Sequence, residues 1–99
     1  MMKVSFYSLH NIDGKLTAVL HRGWTCGKFC YYLANPRTRI WCAIDPMTGL
    51  SVCNATRMRD CFRLTRKPEI ADKFRQIQTS AAYLRWVEDF SKAKAELAA

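Results

Sequence analysis

The hydrophobic period of this chain changes once, at Asn54, and nothing else in it constrains the fold as tightly. Before that point apolar residues alternate with polar ones, the two-residue period of a half-buried strand. Val4 and Phe6 alternate with Ser5 and Tyr7 in a run that reaches Leu9, and Leu16, Ala18 and Leu20 alternate with Thr17, Val19 and His21. Between them stands Asp13-Gly14, a hairpin signal because glycine accepts the positive φ of a tight turn. Gly23 to Lys28 reads as a loop, two glycines bracketing Trp24. Phe29 to Leu33 suits a third strand, closed by Asn35-Pro36, and Arg39 to Ile44 a fourth. Asp45 to Gly49 is a compact turn, and Leu50 to Cys53 returns as a fifth strand. Short connections imply antiparallel pairing.

After Asn54 the apolar spacing becomes three and four, as on one side of a helix. Met58, Cys61, Phe62 and Thr65 share such a side, and Pro68 ends that helix and opens another. Ile70, Phe74, Ile77, Ala81 and Leu84 continue as a stripe, followed by Val87, Phe90, Lys94 and Leu97, with Trp86 beside them. Residues 68–97 leave one helix or two open. An unbroken helix from 69 to 97 would be roughly 40 Å long at 1.5 Å per residue, so a break near Thr79, capped from Gln78-Thr79-Ser80, is favoured. The expectation is an α+β fold in a single domain, 1–99. An antiparallel sheet of four to five strands occupies 1–54, and two or three C-terminal helices, 55–99, pack on one of its faces.

Sixteen Lys and Arg oppose eight Asp and Glu, a formal charge of +8 on 99 residues. Such a field attracts polyanions, nucleic acid above all, or an acidic protein surface. No run of apolar residues is long enough to span a bilayer, so no membrane partner is expected. Met1 to Phe6 lacks the apolar core of an export signal, and five cysteines are an odd number for a disulfide framework. Together these suggest reduced thiols and a cytoplasmic location.

The positive charge is concentrated. Arg57, Arg59, Arg63, Arg66 and Lys67 fall within eleven residues, opposed there only by Asp60, and Lys73 and Arg75 extend the run. On a helix Arg59, Arg63 and Arg66 share one face, beside the apolar side. The planar fork of arginine suits phosphate because it gives two parallel charge-assisted hydrogen bonds. Arg37 and Arg39, at the turn between the third and fourth strands, form a second prong. Trp24 is the leading candidate to stack on an unpaired base, with Tyr31 or Tyr32 on whichever sheet face is open. The expected function is non-catalytic binding of DNA or RNA through this surface. Alternatively, a helix must place its charges outside, and the arginines would then only solvate it.

Other chemistries have less to stand on. Cys26 and Cys30 are four apart, and Cys42, Cys53 and Cys61 follow singly, short of the paired knuckles of a zinc site; no metal or cofactor is expected. No catalytic motif is present, so no catalytic residue is assigned. His10 and His21 lie at the ends of paired strands, and two histidines can divide acid and base roles in RNA cleavage. In size and charge alone the chain resembles bacterial toxin ribonucleases. In type it also resembles accessory proteins of phages and mobile elements, including anti-CRISPR counter-defence proteins. That resemblance implies a chain that binds and inhibits a host nucleic-acid-processing complex. The stripe with Tyr83, Trp86 and Phe90 would serve as a partner or homodimer face.

Overall fold

The computed structural model describes residues 1–98. Five strands, β1 (Met2–Ile12), β2 (Lys15–Cys26), β3 (Phe29–Asn35), β4 (Ile40–Ile44) and β5 (Ser51–Ala55), precede three helices, α1 (Met58–Thr65), α2 (Pro68–Gln78) and α3 (Ala81–Ala98). The strands pair antiparallel in sequence order, β1-β2-β3-β4-β5. Local chemistry sets most joints. Asp13 and Gly14 both take positive φ, 52° and 81°, as a two-residue hairpin of primed type requires. Asn35 turns the chain after β3 by accepting the backbone N–H groups of Arg37 and Thr38 on its side-chain oxygen. Pro68 opens α2. At the α2–α3 break the Ser80 hydroxyl donates to the Ile77 carbonyl and accepts the Tyr83 N–H, so residues 68–98 form two helices.

One connection differs from the expectation. Trp24 is not in a loop, because β2 runs through it to Cys26 and leaves only Gly27-Lys28 as the turn. Gly23 is a strand residue with a steric duty. A Cβ there would lie 2.1 Å from the Tyr31 carbonyl oxygen, so the close approach of β3 admits only glycine.

The helices cover one face. Tyr7, Leu9 and Ala18 of the first hairpin pack on Phe90 and Ala93 of α3. Phe29, Tyr31 and Ala43 pack under Cys61 and Phe62 of α1 and Phe74 of α2. The opposite face is buried as well. Val4 and Phe6 of β1 share a core with Cys30, Tyr32, Cys42 and Ile44 of β3 and β4. In a flat sheet β1 and β4 would stand about 14 Å apart, three strand spacings, so the sheet is curled and the first hairpin folds across the other strands. The Leu9 N–H donates to the Gly49 carbonyl at 2.8 Å and fastens β1 to the β4–β5 turn. That turn is held in place by the buried Asp45 carboxylate, which accepts the Met47 N–H, the Thr48 hydroxyl and the Tyr83 hydroxyl of α3. The helices bury Tyr31 and the curled first hairpin buries Tyr32, at 1% and 7% exposure, so neither is an open stacking platform.

The helix break also resets the apolar phase. α3 buries Tyr83, Phe90 and Ala93, whereas Leu84, placed in the stripe by continuing the count from α2, is 65% exposed. No helix among the described residues is long and apolar enough to cross a membrane.

Candidate nucleic-acid interface

α1 is amphipathic and lies on β3, β4 and β5 through Met58, Cys61, Phe62 and Thr65. Thr65 ties it down. The buried Tyr31 hydroxyl and Thr65 Oγ1 are 2.7 Å apart, and Thr65 donates onward to the Phe62 carbonyl. Because the hydroxyl proton of Thr65 is committed to Phe62, Tyr31 is the donor of that pair. Cys61, fully buried, meets Cys53 of β5 with sulfurs 3.9 Å apart. Their shared hydrogen bond lowers the Cys53 thiol pKa and, with burial, raises that of Cys61.

With that side fixed inward, the other must face water. Arg57, Arg59, Arg63, Arg66 and Lys67 are all exposed. The ion pairs among the described residues are Lys15 with Glu96 and Asp72 with Arg75, so none of these five is paired. Asp60 sits in the first turn of α1, where a carboxylate complements the helix dipole. The arginines therefore form an open patch. Register brings in the second prong: Trp41 of β4 pairs with Ala55 of β5, so Arg39 and Arg57, two residues outside that pair, leave the ladder at the same edge. Arg37 and Arg39 are exposed there, Arg39 with a φ of 54°.

At its other end the row reaches a cleft of about 380 Å³ between the β2–β3 turn, the end of α1 and α2. Lys28, Arg66 and Arg75 line it above Phe62, Phe74 and Tyr31. The Arg66 guanidinium lies over the Phe62 ring, 5.2 Å from its centre. Nothing in the sequence singles out Lys28, since a lone lysine in a two-residue turn carries no local signal.

The remaining candidates lie elsewhere. Lys73 lines a different, mainly apolar groove of about 360 Å³ with Ile70, Ile77 and Trp86, since two residues along a helix turn a side chain to the far side from Arg75. Trp24 is half-buried, with the Lys3 ammonium 5.5 Å from its ring centre, in a shallow site with Arg22. Tyr83 and Phe90 are buried against the chain's own turn and hairpin, which leaves Trp86 as the surface residue of the three.

His10 and His21 do come together. Both Nε2 atoms lie 2.6 Å from the hydroxyl of Ser8, and Ser8 is fully buried. A hydroxyl has one proton to give, so at least one of the two rings donates its own Nε2–H. The His21 ring lies 4.1 Å from that of Tyr32, centre to centre. Burial first, and His10 second, lower the pKa of His21. The Nε2 atoms of both rings are thus turned inward onto Ser8. The five cysteines are free, and among the described residues no three His, Cys, Asp or Glu side chains are grouped to hold a metal ion.

No protein-family model, curated protein or solved structure matches this chain.

Proposed function

We propose that this chain is a non-catalytic nucleic-acid-binding protein whose contact surface is the outer face of α1, continued by Arg37 and Arg39. The observation that carries the reading is the exposed row Arg59, Arg63 and Arg66, none of them in an ion pair. A row that served only to solvate the helix would gain from neighbouring acids, yet Asp60, the one acid within it, pairs with none of them. Phosphate contacts would supply most of the affinity, with limited sequence preference. Free thiols suit a reducing compartment such as the cytoplasm.

Fluorescence anisotropy with labelled single-stranded DNA, duplex DNA and RNA across a salt series tests this. Binding should weaken steeply with salt, because each neutralised phosphate releases counterions. A loss of under twofold between low and physiological salt would refute the mechanism. The second reading is an inhibitor that engages a host nucleic-acid-processing complex. It draws on the groove between α2 and α3, which Trp86 lines, and on the exposed Leu84 of α3. Capture of such a complex by protein that binds no nucleic acid would favour it.

A further inference from the structure

We infer that the cleft at the end of the basic row seats one unpaired base, so that the protein prefers single-stranded nucleic acid or a strand end to duplex. This rests on the nucleic-acid reading above and adds to it the class of strand. Each wall of the cleft contributes one cation: Lys28 from the β2–β3 turn, Arg66 from the end of α1 and Arg75 from α2. Asp72, paired with Arg75, is the one acid joined to them, so the rim keeps a positive balance. Its inner surface is aromatic. Phe62 is half-buried and meets Tyr31 edge-on, with ring centres 5.8 Å apart. Gly27 at the mouth takes a φ of 69°, and nothing lies within 4 Å of where its Cβ would be, so the entrance is open.

Cations around an aromatic slot match a ligand that is flat and apolar in one part and anionic in the next. A nucleotide has that form. The volume lies near the lower end of small-ligand sites, about 300–1,000 Å³, which suits one nucleotide and excludes a helix or duplex. The Arg66 guanidinium lies over the Phe62 ring, so an entering base displaces it from that face and stacks on the ring. Its flanking phosphates fall to Arg66, Arg75 and Lys28, continuous with the row that tracks the strand. A duplex keeps its bases stacked and paired, so it reaches the outer row without filling the cleft.

The test compares three probes of equal length and label on the full chain: single-stranded DNA, the same sequence as duplex, and a fully abasic strand that keeps every phosphate. An RNA arm repeats the single-stranded measurement. We expect the base-bearing single strands to bind about five-fold or more tighter than the abasic strand, the effect of one stacked base. In Phe62→Leu, which keeps an apolar side chain but no ring, the ratio of single-stranded to abasic affinity should fall towards one. Phe62→Tyr should retain it. Reading a ratio within each variant, with circular dichroism to confirm folding, separates loss of the slot from loss of the fold. Equal binding of all three probes with a common salt slope would overturn the cleft and leave the basic-face reading intact. No binding of any probe at low salt would overturn both.

Discussion

Gly27 and Gly49 share a backbone φ of 69°, but only one of them is crowded. Replacing each by alanine therefore separates the backbone cost of a left-handed residue from the packing at the seam of the curled sheet. At Gly27 nothing lies within 4 Å of the new methyl, so Gly27→Ala should cost only the conformational term, about 1 kcal/mol. At Gly49 the methyl would sit 2.6 Å from Cε1 of Phe90 and 2.8 Å from the backbone nitrogen of Leu9. The Leu9 N–H cannot withdraw without giving up its bond to the Gly49 carbonyl. Adding an overpacking cost of about 1–3 kcal/mol puts Gly49→Ala at about 2–4 kcal/mol. In thermal melts followed by circular dichroism, about 4–8 °C per kcal/mol for a domain of this size, Gly27→Ala should lose under about 10 °C. Gly49→Ala should lose at least twice as much. Equal losses would refute the claim that β1 is pressed onto the β4–β5 turn.

Three further outcomes are expected. The triple variant Arg59→Ala, Arg63→Ala, Arg66→Ala should reduce the slope of log affinity against log salt by about 2–3, since each phosphate left without its arginine removes about 0.7–0.9; an unchanged slope in anisotropy titrations places the binding surface elsewhere. His21 binds its proton less readily folded than unfolded, so stability is complete above about pH 6.5 and declines as pH falls below it. Urea midpoints from pH 7.5 to 5 should show that decline, and His21→Gln should remove part of it; a profile the substitution leaves unaltered contradicts the assignment. Thr65→Val should destabilise more than Tyr31→Phe. The first orphans a buried phenol donor at about 1–3 kcal/mol, while the second loses one hydrogen bond at about 0.5–1.5 kcal/mol and leaves Thr65 bonded to Phe62. Equal urea midpoints would argue against Tyr31 as the donor.

Features governed by neighbours in the chain are legible without the structure. The change of period at Asn54, the turns at Asp13-Gly14 and Asp45 to Gly49, the Pro68 boundary and the break at Thr79 each depend on a few adjacent residues. Gly23 is ambiguous because glycine marks a turn and a close backbone approach equally well, and only the Tyr31 carbonyl across the ladder decides between them. Burial of both Tyr31 and Tyr32 is hidden for a related reason. Alternation says that the two point to opposite faces, but not that the first hairpin folds over the second face. At the interface, the outward row on α1 follows from helical spacing once the inward side is known. The same angular arithmetic turns Lys73 away from Arg75. Lys28 reaches the cleft only through the packing of a turn against two helices, which no local pattern contains.

The Leu9–Gly49 bond has a consequence for the order in which the chain can assemble. Every strand pairs with its neighbour in sequence, so each hairpin can form by closing a short loop. The ties at Leu9–Gly49, Asp45–Tyr83 and Tyr31–Thr65 join residues 40, 38 and 34 positions apart. These close longer loops than any hairpin does, as does the packing of Phe90 on the first hairpin, so they follow the meander in folding. Leu9 occupies the outer side of an edge strand, where its amide has one partner and the Gly49 carbonyl is that partner. In native-state hydrogen exchange its rate therefore reports the lifting of the first hairpin from the turn, a partial opening distinct from global unfolding.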